Sequence, residues 1–163
     1  MSSNTVQLQV NGVQVQAEVE SRLLLIDFLR RYARTTGPHI GCEEGSCGAC
    51  TVDVDGTTVK ACLLFAVQVD GSAVTTVEGL AGPHELDDLQ EAFSACHALQ
   101  CGYCTPGMLM SARALLATNP DPSEAEIREA LHGNLCRCTG YQNIVQAVLR
   151  AAAGRRSDIK LNS

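Results

Sequence analysis

Nine cysteines in 163 residues hold most of the chemistry open to this chain. Eight fall into two sets, Cys42, Cys47, Cys50 and Cys62 in the first half and Cys101, Cys104, Cys136 and Cys138 in the second. Thiolate sulfur is a soft metal ligand and, in pairs, a redox couple. An odd count does not suit a disulfide framework. The opening Met1-Ser2-Ser3-Asn4-Thr5-Val6 has neither the basic start nor the apolar middle of an export signal, and no twin-arginine signal. Clustered thiols are therefore expected to bind metal or do redox work in a reducing cytoplasm, export being open only by riding on a partner.

The first set reads C-x4-C-x2-C with its fourth member after eleven intervening residues, the spacing of plant-type [2Fe–2S] centres. Such a cluster with four thiolates carries two negative charges and gains a third on reduction, so it needs backbone amides pointing inward. Gly41, Gly45 and Gly48 in GCEEGSCGAC let the loop approach closely. Four thiolates also satisfy tetrahedral zinc, but a single glycine-rich triplet is unlike the paired C-x2-C knuckles of a zinc ribbon. The second set is C-x2-C and C-x-C, with 31 residues between them. A single residue between ligands is short for a zinc knuckle and places two thiolates at one compact core. Cys96, left over on an apolar helix, reads as a small buried hydrophobe. No Cys-x-His pair exists among His39, His84, His97 and His132, so a Rieske-type site is not supported. His97 reads as a helix-end residue. Arg137 either offsets cluster charge or is solvated, and Glu43 and Glu44 are expected to face water.

Regular elements must position these sulfurs. Val6, Leu8 and Val10, then Val13, Val15, Ala17 and Val19, alternate on either side of Asn11-Gly12, which predicts a two-residue hairpin. Ser21 is expected to cap a helix carrying Leu25, Ile26, Leu29 and Tyr32, stopped by Gly37-Pro38. A second hairpin turning at Asp55-Gly56 delivers Cys62, and a last strand covers 74–77. Residues 79–84 read as a linker between a first domain at 1–78 and a helical domain at 85–154. The spacing predicts helices near 85–97, 105–116 with a Thr105 cap and Pro106, 123–133 with a Ser123/Glu126 capping box, and 141–153 ended by Gly154. The tail 155–163 is expected to be disordered. The class is thus α+β with a four-helix second half.

Composition narrows the partners. Twelve basic against 18 acidic residues give a net charge of −6, so no general attraction to nucleic acid or anionic lipid is expected. The longest apolar runs, Leu23–Ile26 and Ala61–Val67, fall far short of the roughly 20 residues of a membrane span. No GxGxxG or phosphate-cradling loop occurs.

The segments GCEEGSCGACTV (41–52), LQCGYCTPGMLM (99–110) and GNLCRCTGYQNIV (133–145) closely resemble the small iron–sulfur subunit of bacterial molybdenum hydroxylases of the xanthine dehydrogenase family. The resemblance covers about residues 5 to 153, without departure at any of the eight cysteines. It implies a β-grasp, ferredoxin-like first domain and a helical bundle, each with one [2Fe–2S] cluster, held by the first and second set respectively. It further implies a large subunit bearing molybdopterin cytosine dinucleotide, a medium subunit bearing FAD, and a dimer of heterotrimers. Electrons then pass from molybdenum through the bundle cluster and the ferredoxin-like cluster to FAD. Gln100 and the sulfur of Cys138 are implied to contact the pterin. A free two-cluster ferredoxin is the alternative, disfavoured by the dispersed charge and by the apolar run around QCGYCTPGMLM. No residue identifies the substrate.

Overall fold

The computed structural model describes residues 3–82 and 84–161. The chain is α+β. Strands β1 (Ser3–Val10) and β2 (Val13–Glu20) form the expected hairpin, with Val10 facing Val13 and left-handed φ values of 50° and 83° at Asn11 and Gly12. Strands β3 (Thr51–Val54) and β4 (Thr57–Lys60) form the second hairpin around Asp55-Gly56, and β5 (Ala73–Thr75) lies between β1 and β3. The sheet order is β2-β1-β5-β3-β4, mixed because β5 pairs parallel to β1 and antiparallel to β3. Alternation puts Val6, Leu8 and Val10 on one face of β1, where they meet Leu25, Ile26, Phe28 and Leu29 of helix α1 (Leu25–Arg31). Cys50 and Cys62 belong to this core, so the first cysteine set is anchored on its packing.

Helix α1 differs from expectation at both ends. Its N-cap is Leu24, and Ser21 instead accepts a hydrogen bond from Asn4. Two of the first amides of α1 are satisfied by the Cys62 segment, Leu25 N–H donating to Leu64 and Ile26 N–H to the carbonyl of Ala61. Backbone carbonyls of a neighbouring loop thus replace the side-chain cap. The helix stops at Arg31, with Tyr32 as its C-cap. Beyond it Arg34 is left-handed, and Arg30 donates to the carbonyls of Thr36 and Pro38.

A second core is built by α2 (Asp88–Ala95), α3 (Thr105–Thr118), α4 (Glu124–Ala130) and α5 (Gln142–Leu161), around Leu89, Phe93, Met108, Ile127, Ile144 and Val148. Asp87/Gln90 and Ser123/Glu126 close capping boxes on α2 and α4. The cap of α3 is Cys104 rather than Thr105, with Pro106 in the first turn. Helix α5 continues past Gly154 to Leu161, where an end near residue 153 was expected. A glycine costs a helix only about 1 kcal/mol, and Arg155 is held by both carboxylate oxygens of Asp88 on α2. Pro83 of the expected linker and residues 162–163 of the expected tail lie outside the described residues. No helix among the described residues is long and apolar enough to cross a membrane.

Candidate metal centres

The loop between α1 and β3 brings the first set together. Left-handed φ values at Glu43 (57°), Gly45 (81°) and Gly48 (70°) turn the backbone around the sulfurs, and Cys47 N–H donates to Cys42 Sγ at 3.4 Å. The Ser46 hydroxyl, then the N–H groups of Glu44 and Cys47, hold the Cys42 thiol down to about 6. Burial, then the neighbouring Cys50, pushes Cys62 up to about 11. The inward amides expected of the glycine loop are therefore present, and Glu43 and Glu44 face water.

The second set sits where two loops meet at the N-terminus of α3. Cys101 and Cys138 are exposed, with sulfurs 3.5 Å apart. Cys104 and Cys136 lie deeper, and burial followed by contact with Cys136 pushes Cys104 up to about 12. Thr139 Oγ1 is 3.1 Å from Cys136 Sγ, and Cys136 N–H donates to the Tyr141 hydroxyl at 2.8 Å. A cavity of about 250 Å³ is lined by all four of these cysteines together with Cys47 and Tyr103. Within each set the sulfurs gather as two linked pairs: Cys42 with Cys47 and Cys50 with Cys62, joined by Cys62 to Cys42, and Cys101 with Cys138 and Cys104 with Cys136, joined by Cys104 to Cys101. Among the described residues no three His, Cys, Asp or Glu side chains converge as the ligands of one ion would. Four thiolates gathered as two linked pairs fit a binuclear centre, in which each iron takes two.

The two sets adjoin. Leu135 N–H donates to the carbonyl of Cys47 at 2.8 Å, one residue before Cys136. Asn134, buried, donates its amide to the Gly48 carbonyl at 3.1 Å and accepts from the Ser111 hydroxyl at 2.8 Å. A Cβ on Gly107 of α3 would collide with that same Gly48 carbonyl, which makes glycine a requirement of the junction. Lys60 completes it, donating to Thr51 Oγ1 at 2.9 Å and the Gly133 carbonyl at 3.0 Å. Asn134, Ser111 and Lys60 carry no sequence signal that would have marked them.

The remaining candidates fall as follows. Gln100 is exposed beside Cys101, and its side chain makes no hydrogen bond to any described residue. Arg137 is exposed. Cys96 is the C-cap of α2, partly buried against the helical core, and His97 follows it with a left-handed φ of 51°.

Two thiolate sets on one chain, each with amide donors and each fitting a binuclear centre, define a protein with two [2Fe–2S] sites. Family comparison agrees. A 2Fe-2S iron-sulfur cluster binding domain matches residues 8–81 and a [2Fe-2S] binding domain matches residues 76–149. The chain is 51% identical over 151 residues to the caffeine dehydrogenase subunit gamma of Pseudomonas sp. (strain CBB1), covering 91% of this chain and 90% of that one. It is 53% identical over 146 residues to the nicotine 6-hydroxylase small subunit of Paenarthrobacter nicotinovorans, covering 90% and 88%. Quinoline 2-oxidoreductase from Pseudomonas putida 86 has a chain of the same fold, with a TM-score of 0.91 and 45% identity over 96% of this chain and 98% of that one. The chain belongs to the family of small iron–sulfur subunits of molybdenum hydroxylases, the xanthine dehydrogenase family.

Proposed function

We propose that this chain is the electron-transfer subunit of a molybdenum hydroxylase, passing single electrons from a molybdopterin-bearing large subunit to a FAD-bearing medium subunit. The observation that carries this reading is the direct joining of two thiolate sets, with Leu135 N–H, one residue before Cys136, bonded to the carbonyl of Cys47. Cys42, Cys47, Cys50 and Cys62 hold one cluster on a β-grasp domain, residues 1–78. Cys101, Cys104, Cys136 and Cys138 hold the other on a four-helix bundle, residues 85–154, with 79–84 as linker. When bound, each cluster supplies a one-electron site with little geometric change on reduction. The chain's own part is to direct amides at the sulfurs, to bury Cys50, Cys62 and Cys136 away from water, and to leave Cys101 and Cys138 facing out.

The exposed pair marks the side that meets the pterin. Gln100, whose amide has no hydrogen-bond partner among the described residues, and the Cys138 sulfur suit the mixed hydrogen-bonding edge of molybdopterin cytosine dinucleotide. Leu99, Tyr103 and Leu135 surround them and are 41%, 48% and 62% exposed. An apolar rim of this kind supports a lasting interface over the collisional docking of a free ferredoxin. The names of the relatives, subunits of caffeine and nicotine oxidoreductases, support assembly with larger subunits, which we place in the cytoplasm as a dimer of heterotrimers.

Purified native complex tests this. It should contain about four iron atoms per copy of this chain and give two reduced [2Fe–2S] signals in electron paramagnetic resonance. Cys47→Ser should damage the first signal and leave the second. A colourless zinc protein, a [4Fe–4S] spectrum, or a chain that purifies alone as a fully loaded monomer would each overturn the reading.

A further inference from the structure

Tyr103 stands between Cys101 and Cys104, yet its side chain belongs to the other thiolate set. Its hydroxyl donates to the carbonyl of Ile40 at 2.6 Å, and its ring stacks on His39 with centroids 4.5 Å apart and planes 19° from parallel. The bond is returned, since His39 Nδ1–H donates to the Tyr103 carbonyl at 2.8 Å. His39 and Ile40 lead directly into Gly41 and Cys42, and His39 N–H is itself tied to the carbonyl of Ala49, next to Cys50. A Cβ at Gly41 would touch both Cys47 Sγ, at 2.9 Å, and Tyr103 Cε1, at 3.7 Å. The ring therefore lies within one methyl group of a first-set sulfur.

We infer that Tyr103, clasped by His39, is a positioning residue that fixes the two clusters relative to each other and so sets the rate at which an electron crosses between them. A rigid ring between two loops loses little entropy on ordering, and three reciprocal contacts leave it one place to sit. The remaining junction, Asn134 and Leu135, pins the first loop to the 133–136 segment. Neither residue hydrogen-bonds the 101–104 loop itself. Tyr103 supplies that second tether, and it does so at the surface, where its loss need not collapse either core.

The inference rests on the two-cluster reading, and the test separates the two. In the assembled, iron-loaded complex, two reduced clusters at fixed short range split each other's paramagnetic resonance lines at low temperature. Tyr103→Ala should keep both signals and the iron content while losing or broadening that splitting, and should slow equilibration of electrons between clusters after a fast reductive pulse. Tyr103→Phe keeps the stack and loses the Ile40 bond, so its effect should be intermediate; it decides the matter if the alanine variant fails to load. His39→Ala should reproduce Tyr103→Ala from the other side. A residue with a merely structural role would lower thermal stability and leave the splitting unchanged, and that result overturns the inference. So do two wild-type signals without mutual splitting. Wild-type protein lacking two [2Fe–2S] signals would instead overturn the functional reading itself, and the inference with it.

Discussion

The cysteines declare themselves because metal chemistry restricts both residue type and spacing, whereas the residues that support them are ordinary types made special by partners far along the chain. Asn134 reaches Gly48 across 86 residues and Tyr103 reaches Ile40 across 63. Neither partnership leaves a local pattern. Asn134→Ala would remove two hydrogen bonds, one of the three to the Gly48 carbonyl, which keeps Thr51 N–H and its hydroxyl, and the one accepted from Ser111, each worth about 0.5–1.5 kcal/mol. For a chain of this size that lowers the thermal midpoint by several degrees, about 2–4 °C per kcal/mol. A midpoint within a degree of wild type in the loaded protein would show that the amide is not holding the junction. Gln100 makes the opposite case. Among the described residues none bonds its side chain, so Gln100→Ala should leave iron content and stability unchanged while slowing reduction of the bundle cluster by substrate. Rapid mixing separates that step from flavin reoxidation, and unchanged cluster reduction would deny the residue a role at the pterin.

Hairpins, periodic helices and capping boxes were legible at the level of elements because each is a local device: Asn11-Gly12, Asp55-Gly56 and Ser123/Glu126 sit as their chemistry requires. The ends of α1 and α5 were not, because contacts from outside each helix decide them. The amides of α1 find carbonyls at 61–64, and α5 is carried past Gly154 by Arg155 on Asp88. That pair predicts a pH dependence. The Arg155 guanidinium holds the Asp88 carboxyl below its ordinary 3.8. A carboxylate whose folded value is depressed stabilises the fold above its unfolded value, and the contribution disappears as pH falls through the lower folded value. The window therefore lies below about pH 4. The pair is partly exposed, so its worth is about 0.5–1 kcal/mol. Asp88→Asn should lose that amount at neutral pH and almost nothing in strong acid, as read by denaturant midpoints across the range. An equal deficit at every pH would mean that lost packing or capping, rather than the ion pair, is responsible.

Across the whole molecule, two small cores face each other through a polar junction, and each core includes part of its cysteine set. Cys50 and Cys62 pack with Leu8, Phe28 and Val52, and Cys136 packs with Leu109 and Val145. Halves of about 80 residues bury too little apolar surface to be strongly stable alone, and metal staples commonly supply the difference. Without iron the loops keep their strained left-handed residues and the backbone amides turned toward the sulfurs. Cys62 and Cys104, raised to about 11 and 12, would stand as neutral thiols at neutral pH and attract those amides weakly. The ligand loops are also the junction, since Gly48 and residues 133–136 carry the contacts between the cores. Iron removal should therefore loosen both loops and separate the halves. Chelation of the reduced chain should abolish its cooperative thermal transition and open the segment at 79–84 to proteolysis, and reconstitution with iron and sulfide should reverse both. A metal-free chain that melts within a few degrees of the loaded one, and resists protease equally, would show that packing alone sustains the fold.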